Sequence, residues 1–163
     1  MHTVGFGQHD HAACVGSGLR AAESTCAEHG LRLTKGRRRV LEILLQEHRA
    51  MGAYDILSIL SDEGYASQPP VVYRALDFLV VNGFVHKIQK LNAYVACSHP
   101  GNEHTPVFLI CRACETVAET TASLKATLGK AATEMGFDIE TTVVEAEGLC
   151  PDCKKSRGSG DTV

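Results

Sequence analysis

Four of the seven cysteines in this chain fall into two pairs, Cys111-Arg112-Ala113-Cys114 and Cys150-Pro151-Asp152-Cys153. Two intervening residues let a tight turn aim both thiolates at one point while backbone N–H groups hydrogen-bond to the sulfurs. Four thiolates gathered this way make a closed tetrahedral set that suits zinc and leaves no position open for catalysis, so the expected role is structural. The 35 residues between the pairs exceed the usual zinc-ribbon gap, and the segment between them has to bring its own two ends together. The competing reading gives each pair an independent redox role. A thioredoxin-like pair starts a helix after a strand, and neither pair here precedes a convincing helical pattern.

A second group is less regular. The stretch "HKIQKLNAYVACSHPGNEHTP", residues 86 to 106, holds His86, Cys97, His99 and His104. A single histidine is more often solvated or hydrogen-bonded than a ligand, but position changes the weighing. His86 lies on one short strand pattern, Cys97 ends the next, and His104 leads into the strand that carries Cys111. Ligands drawn from both sides of this junction would make a metal a clamp between two units. A thiolate with imidazoles favours zinc over Mg²⁺ or Ca²⁺ without excluding cobalt, nickel or copper. Such ligands compete with protons, so occupancy rises as they deprotonate and the site can sense free metal. The "HDH" at 9–11 reads first as part of a solvated tail.

The elements that must position these residues follow from periodicity. Residues 1–18, rich in Gly, His and Ala without an apolar period, read as a mobile tail, and 20–29 as a short helix. Thr34 is placed to cap a helix whose apolar face is Val40, Leu41, Leu44 and Leu45. Gly52 opens a second, with Ile56, Ile59 and Leu60 on one side. Ser67 and the following prolines open a third, with Val72, Leu76, Leu79 and Val80 buried and Tyr73, Arg74 and Asp77 outward. "FVHKIQ" and "AYVAC" then form an antiparallel hairpin. Three helices and a hairpin are the order of a winged helix-turn-helix. Beyond it, "PVFLIC" and "TVAE" read as strands, "TASLKATLGKAATEMG" as a helix and "DIETTVVEAEG" as a third strand, which makes a small αβ unit. The fold class is therefore α+β, with a tail at 1–18, a winged-helix domain at 19–96, a hinge near 92–103, an αβ domain at 104–155 and a tail at 156–163.

Length and charge bound the function. The chain has 163 residues, room for one ordinary domain or two small ones, and no apolar run approaches the ~20 residues that span a bilayer. No secretory signal is evident, so the expected location is cytoplasmic, where clustered cysteines point to metal binding or redox chemistry. The net charge of −3 hides an uneven distribution. Residues 31–90 carry nine Lys or Arg against six Asp or Glu, including the run "KGRRR", whereas 91–163 carry six against ten. The basic block is the part read as a winged helix, as a nucleic-acid contact requires.

The segments "LRLTKGRRRVLEIL", "AYDILSIL", "PPVVYRALDFLVVNGFVHKI", "AYVAC", "HTPVFLICRAC" and "GLCPDC" together resemble the ferric uptake regulator family, in the right order from about residue 31 to 153. The resemblance implies a winged-helix DNA-binding domain, a hinge and an αβ dimerisation domain with a structural zinc on Cys111, Cys114, Cys150 and Cys153. It also implies a regulatory zinc on His86, Cys97, His104 and Glu119, with one structural and one regulatory Zn²⁺ per subunit. Glu119 is otherwise unremarked as a strand residue, and His99 stays outside the set. Iron and peroxide sensors of the family usually carry a run such as His-His-x-His before the CxxC strand. Here "NEHTPVFLIC" has one His and the sensing set includes the Cys97 thiolate, both of which point to the zinc-sensing subgroup.

The expected function is a zinc-responsive repressor that binds palindromic double-stranded operator DNA as a homodimer, with no enzymatic activity, small-molecule substrate or membrane partner. Arg74 is the first candidate for a base contact. Tyr54 matches a DNA-contacting family position, Tyr73 lies on the same outward side as Arg74, and Arg37, Arg38 and Arg39 are candidates for phosphate contacts. The chain departs from the family at Thr34-Lys35-Gly36, where Thr-Pro-Gln is common, at Gly52, where a polar cap is usual, and at Pro70-Val71, where a threonine hydroxyl is lost. Two rivals make distinct predictions. A thiol-disulfide enzyme needs an exposed low-pKa cysteine and no stoichiometric zinc, and a zinc-stabilised protein-interaction module would show no salt-dependent DNA binding.

Overall fold

The computed structural model describes residues 10–47, 49–65, 68–100, 105–121 and 124–158. These fall into two compact units, 10–100 and 105–158. The first contains α1 (His11–Glu28), α2 (Lys35–Gln46), α3 (Ala53–Asp62), α4 (Pro69–Val81) and a hairpin of β1 (Val85–Ile88) and β2 (Ala93–Ala96). No helix among the described residues is long and apolar enough to cross a membrane.

Local chemistry sets the helix starts. Thr34 has extended backbone, and its hydroxyl accepts the Arg37 N–H at 3.3 Å, which satisfies one of the free donors at the start of α2. Gly52 precedes α3 without a side-chain cap. Pro69 occupies the first turn of α4, where a missing N–H costs no hydrogen bond. The expected cap Ser67 lies outside the described residues, and Gln68 stands at the cap position with no side-chain bond. The buried stripes are rotated slightly from expectation. Ile43, Ala53 and Ala75 are buried, whereas Leu45, Ile59 and Val80 are only partly so.

The three helices and α1 enclose one core with Phe84, Val85 and Tyr94. β1 and β2 pair antiparallel with His86 opposite Val95, and Asn92, at φ 46°, turns the chain between them. Met51 exchanges both backbone hydrogen bonds with Tyr94, at 2.9 and 2.8 Å, and so braces the hairpin from the α2–α3 connection. This is a winged helix with an extra amino-terminal helix.

That extra helix is longer than expected. α1 begins at His11, inside the stretch read as a tail, because the Asp10 side chain accepts the N–H groups of Ala12 and Ala13. "VGSG" looked like flexible sequence, but Gly18 allows close approach: a Cβ there would lie 2.7 Å from Leu45 Cδ2. Leu19, Ala22 and Cys26 then pack into the core.

The second unit contains β3 (Pro106–Cys111), β4 (Val117–Thr121), α5 (Leu124–Glu134), β5 (Val144–Gly148) and α6 (Pro151–Gly158). Its sheet has the order β4-β3-β5, with β3 antiparallel to β4 and parallel to β5. The third strand is shorter than the expected 138–148. α6 was not expected and runs past the proposed domain end at 155. Pro151 opens it, Asp152 lies in its first turn and Lys155 and Arg157 in its last, each on the side the helix dipole favours. Val107, Phe108, Ile110, Val117, Ala118 and Ala132 are buried, whereas Met135 (83%), Phe137 (64%), Ile139 and Val143 are exposed.

Candidate metal centre and nucleic-acid interface

The four-cysteine centre follows from sheet register. The parallel pairing of β3 with β5 sets Cys111 opposite Gly148, so the two CxxC pairs leave the sheet at the same end. The first pair is a closed turn: Glu115 N–H donates to Cys111 O and Cys111 N–H to Thr116 O, each at 2.9 Å, with Glu115 in the left-handed region at φ 59°. The second pair is tied to it by Arg112 N–H donating to Gly148 O at 2.9 Å. One ligand atom from each of the four residues lies within 4.8 Å of every other, and Cys114 Sγ is 3.8 Å from Cys150 Sγ. Sulfurs ~2.3 Å from a tetrahedral zinc are ~3.8 Å apart, so the cage has the right size.

Its electrostatics fit the same ion. Backbone N–H groups reach the sulfurs, from Cys150 to Cys111 at 3.3 Å and from Cys153 to Cys150 at 3.5 Å. The Cys111 thiol is pulled down to about 6, chiefly by the Cys150 N–H. Cys114 is lowered by the Thr116 hydroxyl, 3.1 Å away. Cys153 is instead pushed up to about 12 by the adjoining Cys150 and Cys114 sulfurs. Four thiols so close cannot all ionise against one another, and a dication removes that penalty.

The second CxxC pair does open a helix after a strand. Cys150 stands between β5 and α6, the strand-to-helix placement that the sequence pattern did not reveal. The closure of all four sulfurs separates this centre from an independent dithiol.

Of the remaining candidate ligands, His86 and Cys97 belong to the first unit and Glu119 to the second. In the first, His86 on β1 and Cys97 just after β2 lie on the same face of the hairpin, with a ring nitrogen and the sulfur within 4.8 Å of each other. Cys97 N–H donates to Phe84 O at 2.9 Å, and its sulfur accepts the His99 N–H at 3.4 Å. The His99 ring contacts the Ser98 hydroxyl at 3.0 Å. In the second unit, Glu119 on β4 is 5% exposed and is the buried charged side chain among the described residues. Strand alternation alone gave no reason to single it out, because Val117, Ala118 and Glu119 are all buried. His104 lies outside the described residues.

The outward face of the first unit carries the other candidates. Tyr54, at the start of α3, is 68% exposed, and Tyr73 and Arg74 project from the first half of α4. The three successive arginines of α2 hold intramolecular partners. Arg37 donates to Arg32 O at 2.7 Å and lies 3.8 Å above the Phe78 ring. Arg38 pairs with Glu23 at 2.9 Å. Arg39 pairs with Glu42 and Glu63, which ties α2 to the end of α3.

A winged helix joined in one chain to an αβ unit with a closed four-thiol cage defines a narrow class of architecture. Its sequence counterpart is direct: residues 28–147 match the Ferric uptake regulator family, and the chain belongs to that family. It is 41% identical over 138 residues to the zinc uptake regulation protein of Escherichia coli (strain K12), covering 83% of this chain and 80% of that protein. Among solved structures it is similar to a zinc uptake regulator complexed with zinc and DNA, with a TM-score of 0.85 and 38% identity over 88% of this chain and 97% of that one. The crystal structure of holo XcZur gives a TM-score of 0.79 and 40% identity, over 85% and 98%.

Proposed function

We propose that this chain is a zinc-responsive transcriptional repressor that binds palindromic operator DNA as a homodimer and controls zinc uptake. The observation that carries the reading is its likeness, at 38% identity over 88% of the chain, to a zinc uptake regulator complexed with zinc and DNA. In this reading Cys111, Cys114, Cys150 and Cys153 hold a structural zinc, and His86, Cys97, His104 and Glu119 hold a regulatory one. The first ion supplies cross-linking, and the second supplies a link between units that forms only when metal is available.

Each residue set then has a task. The four cysteines join both ends of the αβ unit. His86 and Cys97, committed to a ligand shared with Glu119 and His104, restrict the winged helix to orientations that reach both half-sites. Without that restriction, apparent operator affinity falls by the fraction of competent orientations. By reciprocity, operator DNA tightens the regulatory site by the same factor. Arg74 offers a bidentate contact to guanine, with Tyr73 and Tyr54 beside it. Arg37, Arg38 and Arg39 approach phosphates as charges already held in place by their intramolecular partners. Exposed Met135, Phe137, Ile139 and Val143 are an apolar set that a second copy would cover. The reading assigns the chain a cytoplasmic place and no catalytic step.

The test measures binding of the zinc-loaded full chain to a duplex selected from a random-sequence library, against buffered free zinc. His86→Ala should retain the four-cysteine zinc yet lose the zinc response, and Cys111→Ser should damage folding or self-association. A normal zinc response in His86→Ala would overturn the assignment.

A further inference from the structure

The DNA-facing side of α4 carries a residue whose chemistry the arginine and tyrosine contacts do not explain. Val71, in the first turn, is 49% exposed. Val72, Ala75, Leu76 and Leu79 already fill the core from this helix, so Val71 is not needed there. Exposure of a single valine is ordinary, so what singles out Val71 is its place at the amino-terminal end of the helix. In helix-turn-helix docking, the amino-terminal residues of the reading helix approach the base edges. The apolar group on the major-groove edge of DNA is the C5 methyl of thymine.

We propose that Val71 is a specificity residue that packs its γ-methyls on a thymine methyl beside the base pair read by Arg74. The inference rests on the operator-binding reading above. Three features carry it. Val71 and Arg74 are three residues apart, so they are neighbours on one side of the helix, and their ~4.5 Å axial offset is close to one base-pair step. A β-branched side chain in a helix keeps essentially one χ1 rotamer, so the methyls are presented without a large ordering cost. Val81, the other exposed aliphatic residue of α4 at 83%, lies at the carboxy-terminal end, away from the reading end. It carries no such role.

The contact has no polar component, so it can be tested by removing only the methyl. The zinc-loaded full chain is used to select a palindromic duplex from a random-sequence library. Each thymine of that duplex is then replaced by deoxyuracil at symmetric positions in both half-sites, and binding is measured for wild type, Val71→Ala and Val71→Thr. Wild type should lose about fourfold per half-site at one thymine, roughly the worth of a methyl taken out of water. That thymine should adjoin the base pair whose substitution is silent in Arg74→Ala. Val71→Ala should bind thymine and uracil duplexes equally, and Val71→Thr, which keeps one methyl, should fall between. Val71 is exposed, so neither substitution disturbs the core. If no uracil position affects wild type, or Val71→Ala keeps the wild-type uracil profile, the proposal is wrong and operator binding stands. If zinc-loaded wild type selects no duplex, the operator-binding reading falls and takes this proposal with it.

Discussion

Replacing Cys150 with serine should unfold residues 105–158 while leaving residues 10–100 folded. Among its described residues the second unit buries only four large apolar side chains, Val107, Phe108, Ile110 and Val117. At ~1.5–3 kcal/mol each they contribute about 6–12 kcal/mol. The first unit buries Leu19, Val40, Leu41, Ile43, Leu44, Met51, Ile56, Leu60, Val72, Leu76, Leu79, Phe84, Val85 and Ile88, for about 21–42 kcal/mol on the same scale. Structural zinc sites contribute an apparent ~10–16 kcal/mol at neutral pH, as much as the whole apolar term of the smaller unit. Cys150 occupies one corner of the cage and anchors two hydrogen bonds, donating to the Cys111 sulfur and accepting the Cys153 N–H on its own. Serine keeps the shape and loses the thiolate.

Loss of even a third of the zinc contribution, ~4 kcal/mol, is about three decades in amide protection. Hydrogen exchange on the zinc-loaded full chain, read by peptide, should therefore show β3 falling by about a thousandfold in Cys150→Ser. α2 and α4 should stay at wild-type protection, and bound zinc should drop by both equivalents per subunit, because Glu119 lies on β4 in the unfolded unit. Wild-type protection of β3 in the variant would refute the argument that the metal rather than the apolar core holds this unit together.

Other expectations come from the first unit and from the exposed apolar set. Gly18→Val should cost ~1–3 kcal/mol by overpacking against Leu45 despite its better helix propensity, measured as a lower urea midpoint without a change in slope. Asp10→Ala should cost ~1 kcal/mol, seen as faster exchange confined to the first turns of α1. The Arg39 hydrogen bond holds the Glu63 carboxyl below its ordinary range, so the pair stabilises the fold above the usual glutamate pKa of ~4.3 and the contribution is lost as pH falls through the folded value. Amide protection of α3 should thus decline more steeply with acid in wild type than in Arg39→Ala, and parallel pH profiles would contradict it. Phe137→Glu should shift sedimentation toward a slower species at micromolar concentration if a second copy covers the exposed apolar set.

Much of the fold was legible because its signals are local. Thr34 caps α2 through one hydrogen bond to Arg37 N–H, and the Pro69-Pro70 pair announces the start of α4. α1 was missed over its first half because Gly16 and Gly18 carry low intrinsic helix propensity. The benefit of Gly18 appears only when Leu45, in another helix, is packed against it. α6 was missed for a related reason: "PDCKKSRG" has no apolar stripe, and none of its residues is buried.

The ligands divide along the same line. Two CxxC pairs are readable because the spacing within each pair is local chemistry, and parallel register supplies the only long-range step, setting Gly148 against Cys111. His86 and Cys97 are eleven residues apart with a turn between them, so a hairpin assignment is enough to put them on one face. Glu119 has no local signal. Its neighbours Ala118 and Thr120 would suit any strand, and a carboxylate at a buried strand position becomes informative only after burial is known. An ionised side chain kept out of water needs a charge or donor partner to offset its desolvation. Glu119 is thus the residue least visible in the sequence, and its substitution by Gln separates a structural acid from a metal ligand. A purely structural acid keeps its hydrogen bonds in the amide and leaves the zinc dependence unchanged, whereas a zinc ligand loses its negative charge and shifts the response to higher free zinc.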